Sequence, residues 1–175
     1  MYRTDLTSNK EDAQASIAWD FVSDRLAGSP VHLFFRAGQC ADAIFAQEMR
    51  KNGLTPRQYA VLVTIVQNEG LSQNNLAKRT GIDRSTLSNI VRRLLNKGLL
   101  SRQRRQEDAR TSSITLTNAG LQAIQIADPI AARIDNRILS LVSAKQRKQF
   151  MIELAAMVKL FSFTRSKMET FLRAV

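Results

Sequence analysis

Apolar residues recur along most of this chain at helical rather than strand spacing. The clearest run is Leu87, Ile90, Val91, Leu94 and Leu95, at i, i+3, i+4, i+7 and i+8, which predicts an amphipathic helix with one face on a core. Asp83 suits its N-cap, because a carboxylate there accepts from a first-turn amide and meets the positive end of the helix dipole. Upstream, Ser72 suits the N-cap of a shorter helix, and Gly81 supplies the left-handed backbone of a sharp turn without a Cβ clash. The stretch from Ser72 to Lys97 therefore reads as two helices joined by a tight turn. At about 100° per residue, Ser85, Ser88, Asn89, Arg92 and Asn96 gather opposite the apolar stripe of the second helix. Ser, Asn and Arg are side chains that hydrogen-bond base edges and phosphates. The plain alternative is an amphipathic hairpin with a solvated face.

The same periodicity organises both flanks. Ile17, Phe21, Val22 and Leu26 predict a short helix from about Asp12 that Gly28 stops, with Trp19 off its stripe. Ser29-Pro30 then starts a helix from Val31 to about Lys51, Ser as cap and Pro where its missing N–H does no harm. Leu33, Phe34, Phe35, Ala37, Ala41, Ile44 and Phe45 cover much of its circumference, so it is expected to be central. A narrow polar stripe, His32, Arg36 and Gln39, interrupts it. Such a stripe suits either a ligand cavity or a solvated or intersubunit edge. Asn52-Gly53 ends this helix. Thr55 with Gln58 forms a capping box with Pro56 at the first helical position, and Tyr59, Leu62, Val63, Ile65 and Val66 predict a largely buried helix.

After Gly98 the pattern changes. Leu99–Arg105 and Ser112–Leu116 are β-like, Ile114 and Leu116 sharing one face. Between them lies the polar loop Gln106–Thr111, entered through Arg102, Arg104 and Arg105. Two short strands with a charged tip after a helix–turn–helix make a wing. Arg110 at the tip suits a narrow, A·T-rich minor groove, and Asp108 is placed to orient it. Thr117 caps a long helix from Asn118 to about Val142, with Leu121, Ile124, Ile130, Ile134, Ile138 and Leu141 in register and a kink expected at Pro129. Ser143 to Gln146 reads as a further capping box for a last helix carrying Phe150, Leu154, Met157, Leu160 and Phe161, with the tail at continuing helical spacing. These long helices have no partner within one wing domain, and are expected to pack on each other and on a second subunit.

Charge sharpens this picture. The chain of 175 residues carries 26 Lys and Arg against 15 Asp and Glu, a net +11. Between Lys51 and Thr115, 12 basic residues face 4 acidic ones, so most of the excess lies on the hairpin and wing and points to a polyanionic partner. One histidine and one cysteine, with no Gly-rich phosphate loop, leave no material for a catalytic or metal site and imply no cofactor. There is no apolar run that spans a bilayer and no signal-peptide pattern at the polar N-terminus. A cytoplasmic, non-membrane protein is expected.

Taken in order, LTPRQYAVL, GLSQNNLAKRTGIDRSTLSNIVRRLLNKGLL and EDARTSSITLTNAG resemble the MarR family of bacterial winged helix–turn–helix regulators, over roughly Val31 to Phe161. The carrying motifs are the DRST helix start at Asp83–Thr86, NKGLL, and the wing's Asp108-x-Arg110 followed by Leu116-Thr117. Ala109 stands where the commonest wing of the family has Arg, which removes an accessory basic contact. The resemblance implies a fold that is mainly α with a small two-stranded β wing. Its parts would be a 1–28 extension with a short helix, a 29–53 dimerisation helix, a 54–117 winged helix–turn–helix domain and 118–175 dimerisation helices. It implies a homodimer on a pseudo-palindromic double-stranded operator, one recognition helix per subunit in the major groove. The DNA-contact set is then Ser72, Gln73, Arg84, Ser85, Thr86, Ser88, Asn89, Arg92, Arg93, Arg104, Arg105, Asp108 and Arg110. Family members are mostly repressors released by small anionic aromatic compounds, so an effector of the aromatic carboxylate class is implied. Transferred by position, its pocket draws on His32, Phe35, Arg36, Gln39 and Tyr59.

Two alternatives share the scaffold. The family's peroxide-sensing branch carries its reactive cysteine near the start of the first long helix, which by count falls near Val31. Cys40 lies mid-helix instead, where a buried structural thiol is the better reading and a redox-responsive repressor the other. A DNA binder with no ligand response is the remaining alternative.

Overall fold

A computed structural model describes residues 24–68, 70–104 and 112–174. The elements are α1 (Asp24–Ala27), α2 (Pro30–Glu48), α3 (Pro56–Val66), β1 (Leu71–Ser72), α4 (Gln73–Thr80), α5 (Arg84–Asn96), β2 (Leu100–Arg104), β3 (Ser112–Leu116), α6 (Asn118–Ser140) and α7 (Arg147–Ala174). The chain is mostly helical, with one small antiparallel sheet. It separates into two compact units, residues 1–41 and 42–175, with the division inside α2. The expected helix from Asp12, with Trp19, lies outside the described residues except for α1. No helix among the described residues is long and apolar enough to cross a membrane.

In the first unit, Ser29 starts α2 as its position before Pro30 requires. Its hydroxyl accepts from the His32 amide at 3.4 Å and its carbonyl from the Leu33 amide at 2.9 Å. The apolar circumference of α2 does not make it central. No residue of α2 is buried, and Phe35 stands 63% exposed. Cys40 is likewise exposed, which corrects the expectation of a buried thiol.

The second unit holds the core, where caps written into the sequence set the helix starts. Thr55 accepts from the Gln58 amide at 3.2 Å while Gln58 Oε1 accepts from the Thr55 amide at 3.1 Å, a complete capping box. This explains how Gln58 tolerates burial: its acceptor is used. Val61, Leu62 and Ile65 are the buried apolar face of α3. Val66, expected inside, is exposed, because the periodicity that buries 58, 61, 62 and 65 turns 66 outward. Against α3 pack Leu76 of α4, then Leu87, Val91 and Leu94 of α5, all fully buried, with Ile114 of β3 and Ile124, Ala127, Ala131 and Ile134 of α6.

The sheet has three strands, ordered β1–β3–β2. The two-stranded wing expected from the sequence gains β1, which pairs Leu71 with Ile114 and Ser72 with Ser113. Two residues carry no alternation to read, and Ser72 was already assigned to a cap. Ser72 does both, since its side chain accepts from the Asn75 amide at 3.3 Å. The wing pair aligns Leu100 with Leu116 and Arg102 with Ile114.

Helix α6 continues through Pro129 as one span, its inner face held by Ile124, Ala127, Ala131 and Ile134. Its start is tightly built. Thr117 Oγ1 accepts from the Gly120 amide at 3.0 Å and donates to the Gly98 carbonyl at 2.6 Å. The expected capping box at Ser143 does not form. Its hydroxyl donates to Gln146 Oε1 at 2.6 Å instead of binding an amide, and α7 begins later, at Arg147. The helix then runs unbroken to Ala174, absorbing the tail. Phe150, Met157, Leu160 and Phe161, in register as expected, are exposed in the single chain.

Candidate nucleic-acid interface

Two caps and a glycine place the polar face of α5. Gly81 ends α4 in the left-handed region, φ +68°. Two residues later Asp83 accepts from the Thr86 amide and from the Ser85 hydroxyl, both at 2.8 Å. That carboxylate neutralises the helix start, and it fixes Ser85 at the first turn of the exposed side. Leu87, Ile90, Val91 and Leu94 anchor the opposite side in the core. Ser85, Ser88, Asn89, Arg92 and Asn96 are consequently exposed together along one face.

The face is cross-braced. Gln73 Nε2, at the start of α4, donates to Ser88 Oγ at 2.9 Å. Arg92 Nη2 donates to Asn89 Oδ1 at 3.0 Å, one turn apart. Such pairing limits the rotamers that Arg92 and Asn89 must lose on binding a partner. Beside them an open groove of about 310 Å³ is lined by Ser88, Asn89, Arg92, Leu95 and Arg102. Arg102 enters through the sheet register. Paired with Ile114 on the edge strand, it lies on the same side of β2 as Leu100 and lines the groove with residues of α5. Two guanidinium groups thus flank a strip of hydroxyl and amide groups, an arrangement suited to phosphate and base edges.

Of the other expected contacts, Arg84 and Arg93 are exposed, and Thr86 is half-buried with its amide committed to Asp83. Ser72 is committed to its cap. Arg105, Asp108 and Arg110 lie outside the described residues; Arg104 closes β2 opposite Ser112, its backbone alone being described. Arg102 lines the groove but is not among the contacts expected from the sequence. Its signal was present as one of three basic residues leading into the wing, but its position depends on a pairing that is not local.

The expected pocket residues fall in both units. In the first, Arg36 Nη1 donates to Gln39 Oε1 at 3.1 Å on the exposed side of α2. His32 is half-buried and Phe35 exposed. In the second, Tyr59 donates through its hydroxyl to Asp128 Oδ1 at 2.9 Å, and its ring lies 5.9 Å from that of Phe45. Asp128, 69 residues away, had no local signal. Partial burial, then the hydrogen bond and charge of Asp128 and the charge of Asp135, push the Tyr59 hydroxyl up from 10.0 to about 12. Because the folded state holds the proton more tightly than the unfolded one, this group stabilises the fold below pH 10, and that contribution is lost as pH rises through about 12. Alkaline titration of phenolate absorbance should show a late phase near 12 that Tyr59→Phe removes. A Tyr59→Phe variant with an unchanged titration curve would contradict the assignment.

Known proteins match this architecture. The sequence model of the MarR family matches residues 52–111. The putative transcriptional regulatory protein for the hcr operon of Thauera aromatica is 34% identical over 132 residues, 73% of this chain and 78% of that one. Among solved structures, the PcaV transcriptional regulator of Streptomyces coelicolor, in complex with its natural ligand, superposes with a TM-score of 0.70 at 30% identity. It covers 79% of this chain and 98% of its own. The transcriptional repressor CouR, bound to a 23-mer DNA duplex, superposes with a TM-score of 0.72 at 26% identity, covering 77% and 96%.

Proposed function

Since the chain belongs to the MarR family and is a winged helix–turn–helix DNA-binding transcriptional regulator, we propose that it works as a homodimeric repressor released by a small aromatic, anionic ligand. The observation that carries the reading is the exposed α5 face, Ser85, Ser88, Asn89 and Arg92 with Arg102 beside it, braced from within and backed by the core. One such helix reads only a few base pairs, so a C₂ pair reading a pseudo-palindromic duplex is required for a useful site length. Exposed apolar residues support the pairing: Val158 is 58% and Ile152 53% exposed on α7, and Phe35 of α2 is exposed as well. A surface of that kind is ordinarily covered. Residues 29–53 and 118–175 would serve the dimer, residues 54–117 the DNA, in the cytoplasm and without catalysis.

The effector reading rests on Arg36, Gln39, His32 and Phe35 of α2 as a combination of cation, hydrogen-bond donors and aromatic ring, and on PcaV having a natural ligand. Release requires that the ligand bind the DNA-incompetent arrangement better, because equal affinity for both arrangements shifts nothing. Titrating a panel of aromatic carboxylates into the complex with operator DNA should release the protein for at least one member. Arg36→Ala should raise the concentration needed about tenfold, the loss of one charge-assisted hydrogen bond. A panel that leaves the complex intact at every concentration contradicts the ligand reading, and leaves DNA binding standing.

A further inference from the structure

Helix α5 ends in a joint that reaches two neighbours. Gly98, φ +69°, turns the chain back, its amide bonding the Leu95 carbonyl at 2.9 Å and the Leu99 amide bonding Leu94 at 3.0 Å. This pairing of the last carbonyls is a Schellman end. From it, Lys97 Nζ donates to the Gly53 carbonyl at 2.8 Å, 44 residues earlier in the chain, while Thr117 Oγ1 holds the Gly98 carbonyl from the other side. The Gly53 acceptor is firmly seated. Its backbone is left-handed at φ +62°, its amide bonds the Met49 carbonyl at 3.1 Å, and Met49 and Leu54 on either side are buried. By helix geometry Lys97 lies about 120° round from the centre of the Ser85–Asn96 face, on the flank toward the turn that follows α2.

Composition alone counts Lys97 among the charges for a polyanion. We propose that it is instead a positioning residue for DNA recognition: it fastens the C-terminal end of α5 to the Gly53 turn and so fixes the angle at which the polar face of α5 meets DNA. This assignment rests on the DNA-binding reading above. A phosphate contact and a strut make different predictions. A lysine that neutralises a phosphate releases a counterion, so its removal weakens binding to any duplex and flattens the salt dependence by about one per contact. Loss of a strut misaims base contacts and spares the non-specific mode.

The test compares the full-length protein with Lys97→Met across a salt series. Two duplexes are used, one selected from a random pool by the wild-type protein and one of scrambled sequence. The expected result is a fall of about tenfold in affinity for the selected duplex, with affinity and salt slope on the scrambled duplex unchanged. A slope reduced by about one per recognition helix, with equal loss on both duplexes, overturns the proposal in favour of a phosphate contact. Equal loss with an unchanged slope makes the residue merely structural, and unchanged binding gives it no role; both also overturn it. Wild-type preference for the selected duplex, read in the same series, separates failure of this assignment from failure of the DNA reading, which would remove both. If Lys97→Met does not fold, Lys97→Ala, which likewise removes the donor to the Gly53 carbonyl, is put through the same comparison with the same outcomes.

Discussion

Replacing Arg92 by alanine is expected to weaken specific DNA binding by about 2 kcal/mol per recognition helix, roughly thirtyfold, and twice that free energy across a two-helix complex. Three features make it the most sensitive position on the face. It lies near the middle of the exposed side of α5, it lines the groove with Arg102, and its guanidinium is held by Asn89 Oδ1. A planar fork held in this way matches the two acceptors of a guanine edge. Alanine removes that fork and also releases Asn89, so two polar groups lose their placement. Folding should be little affected, because Arg92 is exposed and lies outside the buried face of α5. Measured by anisotropy, the loss should be several times larger on the specific duplex than on scrambled DNA. Equal losses on both would reduce Arg92 to a phosphate contact.

Gly120→Ala is expected to destabilise the fold by about 3 kcal/mol, at the upper end of ordinary overpacking. The glycine is needed for space, since its backbone is ordinary helix. A Cβ at this position would fall on the Leu99 carbonyl oxygen and 2.8 Å from Leu116 Cδ2. The Leu99 oxygen is backbone and already accepts from the Thr117 amide at 3.2 Å. Relief therefore requires moving α6 away from the wing base and breaking the Thr117 hydroxyl bonds to Gly98 and Gly120. The same joint holds the end of α5, so DNA affinity should fall along with the thermal midpoint. Calorimetry showing a midpoint within a degree or so of wild type would contradict the close approach.

What is written locally was legible: the capping box at Thr55, the N-caps at Ser72, Asp83 and Thr117, the turn at Gly81 and the stripe that buries α5. Each depends on residues within a few positions, where hydrogen-bond reach and helical period decide the outcome. What depends on pairing across the chain was not legible. Strand β1 exists only through β3, Arg102 reaches the groove only through its register with Ile114, and Tyr59 finds Asp128 on a distant helix. Burial failed where apolar residues were assumed to be inside. Helix α2 is apolar on much of its circumference, yet Phe35 and Cys40 are exposed in the single chain. An apolar pattern states that a surface will be covered and says nothing of whether the cover is the same chain.

The α5 face is expected to read DNA sequence, as distinct from attaching to DNA by charge alone. A net charge of +11 ensures some affinity for any duplex, so bare binding is uninformative. The decisive measurement is the ratio of affinities for a duplex selected from a random pool and for a scrambled duplex of equal length, at physiological salt. The proposed pairing of two such faces predicts a selected sequence with two-fold symmetry and a ratio of at least about a thousand. A pool that yields no recurring sequence, with a ratio near one, would contradict it.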